Sequence, residues 1–270
     1  MEHLERFENL KDIISGYKRL AVAFSGGVDS TFLLKVAHIV LEDNVIAVTV
    51  IGQTYPKQEI EEAKSLAEMI GVRQEIQYVD IFEDEKIVSN PPDRCYYCKM
   101  KEFSIIKDVA QKYGIYTVVD GSNADDVTDY RPGLRALKEL GVVSPLREAG
   151  LTKLEIRALS RELGLPTWDK PALACLASRV PYGERLTQDI LSKVDMGEVF
   201  LRNLGFKQVR LRHFGNLAKL EVLPEDMEEL LKSRDNVVKY LKEMGYSYIT
   251  MDLEGYKTGS MNREIEKGVL

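Results

Sequence analysis

The sequence predicts an α/β fold, a parallel sheet wrapped by helices, followed by a smaller C-terminal α+β domain. Three features predict it. Through the first half, short β-branched runs alternate with longer amphipathic stretches, the rhythm of strands joined by crossover helices. A Gly-containing turn leads from the first of those runs straight into a helical pattern. Beyond residue 186 the order changes to helix, strand pair, helix and strand.

The elements follow in order. "MEHLERFENLKDIISGYKRL" is charged and helix-periodic, and "RLAVAF" (19–24), "VIAVTV" (45–50), "RQEIQYVD" (73–80) and "YTVVDG" (116–121) read as strands separated by helical segments. Thr152 and Glu155 have capping-box spacing at the start of a helix that Gly164 and Pro166 end. The stretch from Pro166 to Pro181 reads as a hinge, which divides the chain into a domain of residues 1–168 and a substrate-binding and oligomerisation domain of residues 169–270. In the latter a helix (187–204) precedes a strand pair (208–223) turning at Gly215-Asn216, a helix (225–244) and a last strand, "YSYITMDL". The tail "GYKTGSMNREIEKGVL" is expected to be only partly ordered.

With 44% hydrophobic and 30% charged residues, 270 residues bury a sizeable core. No stretch approaches the roughly 18 apolar residues of a membrane span, so a cytoplasmic location is expected and no membrane partner. Lys and Arg total 37 against 43 Asp and Glu, a net charge of -6. That balance argues against a broad nucleic-acid surface, whose affinity rests on phosphate neutralisation.

In parallel sheets ligands bind beyond the carboxyl ends of the strands. There stands Ser25-Gly26-Gly27-Val28-Asp29-Ser30, between a buried strand and a helix. Two glycines permit a tight turn with converging N–H groups, and the helix N-terminus adds its positive dipole end. Ser25 and Ser30 add hydroxyls for a pyrophosphate; Asp29 is placed to hold magnesium or to cap the helix. The Walker and dinucleotide patterns are absent. S-G-G-V-D-S instead resembles the PP-loop of the ATP-pyrophosphatase superfamily, with its adenine nucleotide alpha hydrolase-like fold. That resemblance implies cleavage of ATP to AMP and pyrophosphate with adenylation of a substrate. A second rim, "DGSNADDVTDYRPG" (120–133), brings Asn123, Asp125 and Asp126 towards ATP or magnesium, or forms a solvated, capped turn.

Cys95, Cys98 and Cys175 are the chain's only cysteines. The first two, three apart, stand between Pro91-Pro92 and a helical stretch, beside Arg94, Lys99 and Lys101. Odd in number, they suit a metal or catalysis better than a disulfide framework. Structural zinc wants four ligands, and His3, His38 and His213 are distant in sequence. Zinc and a redox dithiol stay open, while three thiolates without a fourth ligand fit a 4Fe-4S cluster whose open iron binds sulfide.

"SGGVDS", "GSNADD", "KPALACLASRVPYGERLT", "VRLRHFGNLAKLEV" and "YITMDLEGYKTGSMN" together resemble the LarE family over nearly the whole chain. The resemblance implies an ATP-dependent sulfur transferase of nickel-pincer nucleotide biosynthesis, which converts the carboxylates of pyridinium-3,5-biscarboxylic acid mononucleotide to thiocarboxylates. In one branch a cysteine at the position of Cys175 gives up its own sulfur. The three-cysteine branch, which this chain matches, implies a 4Fe-4S cluster on Cys95, Cys98 and Cys175, with sulfide or another sulfur donor outside the chain. Arg210 and Arg212 match the family's paired arginines and imply a clamp for the substrate phosphate, the alternative being a solvated sheet face. Ser178 and Arg179 are expected to line the site; Glu198 and Glu221 resemble acidic positions of the substrate region or are surface charges. A homo-oligomer is implied as well. The rival readings are a PP-loop tRNA thiolase, disfavoured by the acidic balance and the lack of further cysteines, and a non-catalytic ATP-binding module with structural zinc.

Overall fold

The computed structural model describes residues 2–127, 132–171 and 175–257. The tail from residue 258 and the middle of the "VTDYRPG" stretch lie outside the described residues. In chain order the elements are α1 (Glu2–Ser15), β1 (Leu20–Ala23), α2 (Val28–Leu41), β2 (Val45–Ile51), α3 (Lys57–Ile70), β3 (Arg73–Tyr78), α4 (Glu85–Val88), α5 (Arg94–Lys112), β4 (Val118–Val119), α6 (Pro132–Glu139), α7 (Pro145–Glu148), α8 (Lys153–Glu162), α9 (Gln188–Asn203), β5 (Val209–Phe214), β6 (Leu217–Val222), α10 (Met227–Lys232), α11 (Arg234–Glu243) and β7 (Tyr248–Met251). They divide into two units, one of residues 1–80 with 93–172, the other of residues 81–92 with 173–270.

The first unit holds a four-stranded sheet, ordered β3-β2-β1-β4 and parallel throughout. β2 is buried at all seven positions, the continuous apolar run expected of a parallel strand covered on both faces. β3 is the polar edge, "RQEIQY". One face packs Leu10 and Ile14 of α1, Phe32 and Leu33 of α2, and Ile156 and Leu159 of α8. The other packs Phe103, Ile106 and Val109 of α5 with Leu137 of α6. The capping box is formed: Thr152 Oγ1 accepts from Glu155 N–H, and the Glu155 carboxylate accepts from Thr152 N–H. Because β1 pairs with β2 on one side and β4 on the other, the crevice beyond their carboxyl ends is a topological switch point, where open α/β sheets bind ligands.

In the second unit β5 and β6 form an antiparallel hairpin turned at Gly215, and β7 adds in parallel beside β6. Segment 81–92 joins this unit through backbone bonds: Leu186 N–H donates to Val88 O and Gly183 N–H to Asn90 O, both at 2.8 Å. α9 lies on β5 so closely that a Cβ at Gly197 would overlap the Leu211 side chain. Gly197→Ala gains about 1 kcal/mol of helix propensity but overpacks a filled core, at about 1–3 kcal/mol. The expected result is a lower denaturation midpoint with an unchanged denaturant slope.

Candidate active site

The phosphate loop leaves β1 at Phe24 and enters α2 at Val28. Gly26 adopts φ +70°, and a Cβ there would stand 3.0 Å from Ala63 Cβ, so both backbone conformation and the approach of α3 require glycine. The two loop hydroxyls face each other, Ser25 Oγ to Ser30 Oγ at 3.1 Å, and Ser30 Oγ also accepts from Ser25 N–H at 3.3 Å. Gly27 N–H points at Ser25 Oγ at 3.4 Å. Contacts this long leave the loop's donors readily transferred to a bound anion.

Asp29 is not the helix cap; that position belongs to Gly27, which makes no side-chain cap bond. Instead the Asp29 carboxylate is held from two sides. Asn123 Nδ2 donates to its Oδ1 at 3.2 Å, and the Lys153 ammonium sits on its Oδ2. The rim that supplies Asn123 is itself ordered: Asn123 N–H donates to Asp126 Oδ2 and Asp125 N–H to Asn123 Oδ1, each at 2.9 Å. Lys153 N–H closes the link by donating to Asp125 Oδ2 at 2.8 Å. The expected residues Ser25, Gly26, Gly27, Asp29, Ser30, Asn123 and Asp126 thus form one connected cluster. Sequence reasoning missed two lysines of it. Lys153 is the first residue after the Thr152 cap, and Lys170 donates to Gly26 O at 3.2 Å while paired with Glu62 at 2.8 Å.

Cys95 and Cys98 lie within the first two turns of α5, Cys95 exposed and Cys98 half-buried. Three residues apart, they share one helix face. Cys175, also exposed, precedes a short 3-10 turn, Leu176–Arg179, in the second unit. Within neither unit do three or more His, Cys, Asp or Glu groups gather as a metal centre among the described residues.

The second unit carries a buried ionic cluster. Arg179, 0% exposed, grips Glu198, 1% exposed, through two bonds of 2.8 and 2.9 Å. Its remaining Nη1 donates to Ser178 Oγ at 2.9 Å and to Cys175 O at 3.1 Å, so the arginine fixes the turn that presents the thiol. Glu198 also accepts from Leu211 N–H at 3.1 Å and from Arg202 at 3.3 Å, the latter one helical turn on. Burial pushes the Glu198 carboxyl up, but the Arg179 charge and bonds, helped by Arg210, outweigh it and hold it below the usual carboxylate range. Arg212 donates to Ser178 O at 2.7 Å and to Glu221 at 2.8 Å. Arg210, opposite Glu221 in the hairpin register, is pushed down to about 10 by burial and then by the Arg179 charge. These side chains are therefore neither a solvated sheet face nor surface charges. Among the described residues, three buried guanidiniums meet two buried carboxylates, a donor-rich arrangement suited to an anion. On the opposite face of β5, His213 bonds Tyr246 Oη at 3.0 Å and Glu184 at 3.2 Å, tying the 180–187 segment to the strand.

A PP-loop domain model matches residues 2–128. The pyridinium-3,5-bisthiocarboxylic acid mononucleotide synthase of Lactiplantibacillus plantarum is 40% identical over 97% of this chain and 94% of its own length. The chain belongs to the LarE family. It is accordingly an ATP-dependent enzyme of the PP-loop superfamily. An uncharacterised protein of Synechocystis sp., slr1717, is 41% identical over 97% of the chain and 98% of its own length. The glutamine-hydrolysing GMP synthase of Chlamydia caviae is 26% identical over 59% of the chain and 34% of its own length. The LarE likeness therefore spans both units, whereas the GMP synthase matches only part of the chain. Among the described residues no helix is long and apolar enough to cross a membrane.

Proposed function

We propose that this LarE family member inserts sulfur into a pyridinium-3,5-biscarboxylic acid mononucleotide for nickel-pincer cofactor synthesis. The full-length match to the Lactiplantibacillus plantarum synthase carries the reading. A substrate carboxylate oxygen attacks the α-phosphorus of ATP and pyrophosphate leaves, giving an acyl adenylate. A sulfur nucleophile then adds to the acyl carbon, and AMP departs with the former carboxylate oxygen, giving the thiocarboxylate. Ser25, Gly26, Gly27 and Ser30 receive the phosphates, Asn123 and Asp126 order the rim, and Asp29 takes magnesium once Lys153 gives way. Arg210 and Arg212 receive the substrate phosphate, a role supported by the three guanidiniums gathered in the buried cluster. Ser178, Arg179, Glu198 and Glu221 shape that pocket and position Cys175. As the family resemblance implies, the chain works as a homo-oligomer.

For sulfur delivery we read Cys95, Cys98 and Cys175 as ligands of a 4Fe-4S cluster. The donor set fits: thiols are the usual ligands of such clusters, two stand on one helix face, and none of the three is fully buried. When bound, that group supplies an exchangeable sulfide, sparing the cysteines. The alternative, a sacrificial Cys175, is favoured by that residue's exposure and by the clamp of Arg179 and Ser178 on its carbonyl. Anaerobic purification with iron and acid-labile sulfide analysis tests the choice. Iron and sulfide near four per chain are expected, with Cys95→Ala reducing both. Iron-free protein whose Cys175 becomes dehydroalanine in one turnover, read by mass spectrometry, overturns the cluster.

A further inference from the structure

A concave pocket in the first unit is used by none of these steps. Its volume is about 470 Å³, within the range of small-molecule sites, and its lining is Leu134, Arg135, Lys138, Val142 and Arg147. α6 buries Ala136 and Leu137, packs Leu134 half-buried against the same core, and leaves Arg135 and Lys138 exposed at the pocket. The chain then returns through Val142, and Val143 bridges to Val119 of the sheet before α7 presents Arg147.

The charge of this pocket is unlike that of the chain. In a protein with net charge -6 and 43 acidic residues, the described residues that line this concavity include three cations and no carboxylate. Among the described residues neither Lys138 nor Arg147 has a side-chain hydrogen bond or ion pair. The third cation, Arg135, is already paired with Glu139 at 3.6 Å, a carboxylate that also accepts from Tyr96 Oη at 2.6 Å. Its guanidinium stacks over the Tyr96 ring at 3.9 Å. Lys138 and Arg147 have no counter-charge among the described residues, and like charges so placed repel, which an anion relieves. Leu134 and Val142 add apolar surface on which the body of an organic ligand can rest.

We propose that this pocket is a second anion site, separate from the phosphate loop, for a phosphate-bearing small molecule gripped by Lys138 and Arg147. Tyr96 stands between Cys95 and Cys98, so an anion that draws Arg135 away from the ring also changes the support of the thiol-bearing turn. The site stands on its lining alone and does not depend on the sulfur-transfer reading.

The test is calorimetric titration of the full chain at low salt with ribose 5-phosphate and with UMP, while α,β-methylene ATP saturates the phosphate loop. Binding of either probe is expected, with Lys138→Ala/Arg147→Ala weakening it at least about tenfold, since two charge-assisted contacts are lost. Added salt is expected to weaken it in the wild type. Affinity for α,β-methylene ATP is unchanged in the variant, which alters two solvent-accessible side chains. Tighter binding of UMP than of ribose 5-phosphate shows that the apolar floor reads the base; equal binding shows that the phosphate alone is read. The proposal is overturned if neither probe binds at millimolar concentration or if wild type and variant bind alike. It falls equally if only an acidic glutamate peptide distinguishes them, which makes the surface a protein contact.

Discussion

Glu198→Gln is expected to lower the stability of the C-terminal unit by about 3–5 kcal/mol, the usual cost of removing one partner from a buried ion pair. Both side chains of the pair are about 1% exposed, and the carboxylate receives the Arg179 fork, Arg202 and the Leu211 amide. Glutamine keeps the volume but loses the charge, and its amide nitrogen turns one acceptor into a donor facing a guanidinium. Arg179→Gln in the same background restores part of the loss, because the uncompensated buried cation is gone. Denaturant unfolding of the four proteins in a double-mutant cycle measures this, and additivity of the two changes would show that the pair is not coupled.

The same carboxylate gives an acid limb with a definite sign. Its folded pKa lies below the ordinary value, so the unfolded chain binds the proton more readily. The stabilisation is fully present above the ordinary carboxylate range and is lost as pH falls through the depressed folded value. Glu155 adds a limb of the same sign in the first unit: burial raises its carboxyl, but the Thr152 bonds and Arg6 overcome it. In Glu198→Gln protein the acid limb of the C-terminal unit is expected to flatten.

The parallel sheet was legible because its strands are apolar runs between helical periods, and β2, buried throughout, is the clearest of them. The shortest, β4, keeps only Val118 and Val119 of the expected 116–121, since the chain must turn at Asp120 to reach the rim. The expected helix over 225–244 is two, α10 and α11, divided at Ser233. A last strand was readable, but not its parallel pairing with β6, because direction depends on where the preceding helices carry the chain. Nor does composition reveal that residues 81–92 belong with residues beyond 172; long-range backbone bonds such as Leu186 to Val88 decide that.

In the site, the phosphate loop was legible because glycine and serine are needed there for backbone reasons. The spacing of Arg210 and Arg212 put them on one face, but their burial against Glu198 and Glu221 needed the packing of α9 on β5. Arg202 had a signal, four residues after Glu198 on one helix. Lys153 had only the capping box, which places the helix start and says nothing about which loop the next side chain meets.

Lys153→Ala is expected to slow pyrophosphate release from ATP by about 10²–10³-fold, the range seen when one preorganised group facing developing charge is removed. Its ammonium shares Asp29 with Asn123, so if Asp29 is the magnesium ligand, as proposed above, the metal must displace a lysine that pairs with the carboxylate. The displaced ammonium then lies beside the phosphates, where the departing pyrophosphate gathers negative charge. Two readouts separate this role from a merely structural one. Without Lys153 the bare carboxylate binds magnesium more tightly, so half-saturation by the metal shifts to lower concentration while the maximal rate falls. Lys153→Arg keeps the charge and is expected to recover part of the rate. Asp29→Ala removes the metal contact and is expected to cost at least as much, and the double variant little more than Asp29→Ala alone, since both residues act through one carboxylate. A Lys153→Ala rate within about threefold of wild type, with magnesium half-saturation unmoved, would assign the ion pair to loop packing alone.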